Sequence, residues 1–71
     1  MNIVYETVYY PKERAFRIKI EKKNDGGYLV LVYLEGTTEL LFSTPVVVPK
    51  EEDREYQAAA DEGKKYIDRV L

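Results

Sequence analysis

The stretch NDGGYLVLVYLEG, Asn24–Gly36, decides how this chain folds. It opens with residues that tolerate positive φ, as a tight hairpin requires, and continues with seven successive apolar residues, Tyr28 to Leu34. Side chains on a strand point alternately to opposite faces, so a strand wetted on one side alternates apolar with polar residues. Tyr28–Leu34 does not alternate, and both of its faces therefore call for cover.

Upstream, Arg14–Lys23 alternates cleanly, with Phe16, Ile18 and Ile20 on one face and Arg17, Lys19 and Glu21 on the other. The two segments form a hairpin whose register depends on its loop. A two-residue Asp25-Gly26 turn pairs Ile18 with Tyr33, whereas a three-residue loop with a bulge pairs it with Val32 or Leu34. One register leaves Tyr28, Val30, Val32 and Leu34 facing away from Phe16, Ile18 and Ile20; the other leaves Leu29, Leu31 and Tyr33 there. Both leave an apolar stripe on the far side of the sheet.

Further outward, Asn2–Tyr9 is rich in β-branched and aromatic residues and ends at a Tyr10-Pro11 turn, which predicts a first strand. Thr38–Phe42 predicts a short fourth strand, its continuation toward Val46-Val47-Val48 interrupted at Pro45, which suits an edge or a bend. From Lys50 the period becomes helical: Tyr56, Ala59, Ala60, Gly63, Tyr66, Ile67, Val70 and Leu71 share a stripe. Pro49, Glu51, Glu52 and Asp53 suit the start of that helix, and Lys64, Lys65 and Arg69 its end. The expected fold is α+β: an antiparallel sheet of three to four strands in β-β-β-β-α order, with one C-terminal helix packed on one face.

With 71 residues the chain has room for one domain, 1–71, and a chain this short buries only about 60% of its unfolded surface. It has no Cys and no His, which removes disulfides and soft-ligand metal sites as sources of stability and leaves self-association. Hydrophobic residues make up 45% and charged residues 34%, a composition that folds. No apolar run approaches the ~20 residues of a membrane-spanning helix, and Met1-Asn2-Ile3 lacks the basic start of a signal peptide, so a cytoplasmic protein away from membranes is expected.

A helix about 10 Å wide covers one side of a sheet and not the other. Leaving three large side chains wet forgoes roughly 4–8 kcal/mol, comparable to the whole stability of such a domain. The expected function is therefore non-catalytic protein interaction: a homo-oligomer, a dimer in the simplest case, or a complex with another protein. Candidate interface residues are Leu29, Leu31, Tyr33 and Val32 on the sheet, together with Ala59 and Gly63, small residues one helical turn apart that would form a helix–helix seam. Competing expectations are that sheet curvature, strand one's aromatics or Val46-Val47-Val48 closes over the second face, and that Gly63 makes room for a sheet tyrosine.

Seven tyrosines beside a basic segment also suggest a binder of single-stranded nucleic acid, with bases stacking on aromatic rings and phosphates held by cations. On that alternative Arg14, Arg17 and Lys19 take the phosphates and Tyr28 or Tyr33 stacks. Glu13 and Glu21 interrupt the cluster, and the pI of about 5.1 lies far below that of a typical nucleic-acid-binding domain. Catalysis is not expected, because no side chain of neutral pKa is present to act as base or nucleophile. No cofactor is expected either: Asn24-Asp25-Gly26-Gly27 leads into a strand, not into a phosphate-binding helix.

Finally, IKIEKKNDGGYLVLVYLEG followed by a strand and a Glu/Ala-rich helix resembles the N-terminal β-β-β-α region of HicB-type antitoxins. Asp25, Gly26, Gly27 and Tyr28 match the family's hairpin, and Gly36 matches a later glycine. Strand one is additional here, and Tyr33-Leu34-Glu35-Gly36 stands where the family has a proline-containing turn. The resemblance implies a protein-binding, non-enzymatic module.

Overall fold

The computed structural model describes residues 3–47 and 55–70. Four strands, β1 (Ile3–Tyr9), β2 (Phe16–Lys22), β3 (Tyr28–Leu34) and β4 (Leu40–Val46), form one antiparallel sheet in the order β1-β2-β3-β4, followed by helix α1 (Glu55–Val70). The α+β class, the strand order and the single helix on one face agree with the sequence pattern. The expected helix-start residues Pro49 and Glu51–Asp53, and Leu71 at its end, lie outside the described residues.

The β2–β3 turn settles the register. Gly26 N–H donates to Lys23 C=O at 3.2 Å and Lys23 N–H to Gly27 C=O at 2.9 Å, enclosing a three-residue loop with Gly26 at φ 91°. This loop pairs a type I turn with a left-handed glycine bulge. Asp25 Oδ1 accepts the Gly27 N–H at 2.9 Å and completes it. Ile18 consequently pairs with Val32, Phe16 with Leu34 and Ile20 with Val30.

Phe16, Ile18, Ile20, Tyr28, Val30 and Val32 thus share a face, and α1 packs on it through Ala59, Ala60, Gly63 and Ile67. Tyr56 meets Tyr28 edge-on at 5.8 Å and Tyr66 lies against Phe42 at 4.5 Å, both at the helix's rims. Val70, expected on the buried stripe, is exposed. A bulge at Val4 in β1 brings Val4 as well as Tyr5 against this core.

Strand four differs from the expectation. It begins at Leu40, not Thr38, and continues through Ser43-Thr44-Pro45 to Val46 without a break. The hydrogen-bond phase explains why proline is tolerated. Ala15 and Lys23 bond across to Glu35 and Gly27, so odd-numbered residues of β2 and β3 face each other's backbone and even-numbered ones face outward, to β1 and β4. Tyr28, Val30 and Val32 therefore bond to Val46, Thr44 and Phe42, and Pro45 turns its nitrogen toward the free edge, where no ladder bond is lost.

Candidate interaction surface

The sheet's second face carries Leu29, Leu31 and Tyr33 from β3, Arg17, Lys19 and Glu21 from β2, Glu6 and Val8 from β1, and Ser43 and Pro45 from β4. Among the described residues no element lies over it. Of the covers considered from sequence, strand one's aromatics and Val46-Val47 do not supply one: Tyr5 and Tyr9 pack on the helix side, Val46 does likewise, and Val47 is 90% exposed. Val48 lies outside the described residues.

This open face divides in two. Its β1–β2 half is mostly polar and ion-paired: Arg17 donates to Glu35 Oε1 through Nε and Nη2 at 3.2 and 3.1 Å, and also pairs with Glu6. These carboxylates, Glu35 first, hold the guanidinium pKa above its ordinary value. Lys19 places its ammonium 5.0 Å from the centre of the Tyr33 ring. The β3–β4 half is apolar apart from Ser43. Leu31 at its centre is only 6% exposed, whereas Leu40 and Leu41 at the β4 bulge are 47% and 38% exposed.

Of the candidate interface residues, Leu29, Leu31 and Tyr33 lie on the open face. Val32 does not, because the three-residue loop turns it into the core beneath α1. Ala59 and Gly63 are likewise buried against the sheet, so they form no helix–helix seam. A Cβ built on Gly63 would stand 2.8 Å from Val30 Cγ1, so the residue this glycine accommodates is a valine, not a tyrosine. Sequence reasoning missed Leu40, Leu41 and Val8; the bulge that exposes the two leucines has no marker in the Leu40-Leu41-Phe42 run.

The nucleic-acid constellation is dispersed. Tyr28 is buried under Tyr56 and offers no ring for stacking, while Arg17 is occupied by two carboxylates. Arg14 lies apart from them, in the β1–β2 connection. There it borders a groove of about 650 Å³ together with Lys12, Pro11 and Tyr9. Phe16 and Ile67, which also line it, are almost wholly buried. Asp68 at its rim accepts the Tyr9 hydroxyl at 2.7 Å, a bond that raises the phenol's pKa by stabilising its neutral form.

Among the described residues no three acidic side chains converge to hold a metal ion, and no helix is long and apolar enough to cross a membrane. The chain matches no protein-family model, no curated protein and no solved structure.

Proposed function

We propose that this protein is a non-catalytic interaction module that self-associates by packing the open sheet face of one copy against that of another. A single observation carries the reading: α1 caps one face, while the opposite face presents the Leu29, Leu31, Tyr33 and Leu40 strip with no described element over it. Apolar surface arranged beside a polar border is the layout of an interface core and rim. The polar half suits a second copy because its cations are already engaged. Arg17 sits between Glu6 and Glu35, so no lone cation is desolvated there, and the excess negative charge this cluster keeps places it at the border of the contact rather than its centre.

Size sets the strength. Seven-residue strands at ~3.3 Å per residue and four strands at ~4.8 Å spacing give a face of about 440 Å² in projection. Two such faces stay below the roughly 1,600 Å² of a standard stable interface, so the dimer is weak and dissociates on dilution.

The Leu29→Lys/Leu40→Lys double variant tests this. Neither side chain belongs to the core beneath α1, so circular dichroism and thermal unfolding of the diluted variant should match the wild type, while its concentration-dependent mass increase disappears. A variant that associates like the wild type removes the open face as the contact.

A further inference from the structure

Among the described residues neither β1 nor β4 has a partner strand on its outer side, and the two edges are not equally guarded. The β4 edge carries Pro45 and the bulge at Leu41, both of which blunt strand addition. The β1 edge is Ile3-Val4-Tyr5-Glu6-Thr7-Val8-Tyr9, with no proline and no lysine, and its bulge at Val4 lies near one end. From Tyr5 to Tyr9 the strand is regular. Its one charge, Glu6, is drawn back across its own sheet by Arg17.

The hydrogen-bond phase identifies the free groups. Even-numbered residues of β2 face β1, so Tyr5, Thr7 and Tyr9 bond to Ile20, Ile18 and Phe16. Glu6 and Val8 therefore turn their N–H and C=O groups outward, where no strand lies among the described residues. Val8, 47% exposed, has no cover on its side chain either.

We infer that β1 pairs with β1 of a second copy, antiparallel about Thr7, joining two sheets into one of eight strands. The argument for a second copy is the symmetry of Tyr5-Glu6-Thr7-Val8-Tyr9 itself. A two-fold axis at Thr7 sets Tyr5 opposite Tyr9 of the second copy, Thr7 opposite Thr7, and Glu6 opposite Val8, so their outward backbone groups exchange both bonds. Aromatic and threonine cross-strand pairs are favourable, and no like charges meet. The axis runs normal to the sheet, leaving both helices on one side and both open faces on the other. Edge pairing is thus independent of open-face packing and does not compete with it.

Amide hydrogen exchange on the full chain tests the pairing, with the outward-facing Ser43 amide of the β4 edge as internal control. At total protein concentrations about a hundredfold above the dissociation constant about 7% of the chains remain monomeric, so the Glu6 and Val8 amides should exchange about fifteenfold more slowly than Ser43 relative to their intrinsic rates, and lose that protection on dilution. The Val8→Pro variant removes an outward donor without touching the β1–β2 ladder, and Glu6 should then exchange as fast as Ser43. Glu6 and Val8 exchanging like Ser43 in wild-type protein that nevertheless gains mass overturns the edge pairing and leaves the open face as the contact. Protection that persists on dilution, or that survives Val8→Pro, overturns it as well.

Discussion

Gly63 offers a sharp test of how the helix sits on the sheet. Glycine within a helix costs about 1 kcal/mol relative to alanine, so Gly63→Ala at an uncrowded site would stabilise the protein. Here the added methyl would meet Val30 Cγ1 at 2.8 Å and Ile18 Cγ2 at 3.8 Å. Val30 is fully buried, and its β-branched side chain cannot swing aside, so relief requires the helix to lift. Overpacking of this kind costs about 1–3 kcal/mol, which outweighs the propensity gain and leaves a net loss of about 1 kcal/mol. For a domain of this size that lowers Tm by about 4–8 °C. Val30→Ala alone should cost about 2–3 kcal/mol through lost burial and a cavity. In that background the obstruction is gone, and Gly63→Ala should become stabilising by about 1 kcal/mol. A double-mutant cycle measured by denaturant unfolding should therefore give a coupling of about 2 kcal/mol. A coupling near zero, or a Gly63→Ala variant that melts higher than the wild type, would refute the placement of Gly63 over Val30.

Three further outcomes follow from the turn and from the strand–helix contact at Tyr9. Gly26 sits at φ 91° with open space around it, so Gly26→Ala should cost about 1–2 kcal/mol through backbone strain alone, seen as a lower unfolding midpoint at unchanged denaturant slope. The Gly27 N–H, and secondarily Lys23, hold the Asp25 carboxyl below its usual value; its contribution is complete above the ordinary carboxylate range and lost as pH falls through the folded pKa. Unfolding curves of Asp25→Asn and wild type should accordingly converge toward acid, and a gap that stays constant with pH would contradict this. Tyr9 titrates in the opposite sense: its bond to Asp68 raises the phenol's pKa and contributes stability below the ordinary tyrosine value, lost as pH rises through the folded one. Tyr9→Phe should remove that alkaline decline, measured by denaturant unfolding at high pH.

The hairpin, the helix and the excess of apolar surface on β3 were legible from residue order, because each rests on local chemistry: turn-forming residues, helical spacing, and seven apolar side chains in a row. Which half of β3 faces the helix was not. With Tyr28–Leu34 apolar throughout, no polar residue marks parity, and Asn24-Asp25-Gly26-Gly27 offers glycines for more than one loop. The Asp25 bond to Gly27 and the left-handed Gly26 decide it, sending Val32 inward and Leu31 outward. Gly63 advertised a packing reason, yet its partner could not be named before that parity was known. Pro45 marked an edge correctly, but the strand around it looked broken because the direction of its nitrogen depends on hydrogen-bond phase, a property of three strands together. Glu6, 11 residues from Arg17 in sequence, and Glu35, 18 residues from it, meet it only through the pairing of β1, β2 and β3.

The most direct measurement of self-association is sedimentation equilibrium of the wild-type chain over a wide range of loading concentrations. A mass that starts at the single-chain value in dilute solution and climbs reversibly to at least twice that value is the predicted result. One copy per particle at every concentration, up to the solubility limit, would contradict it.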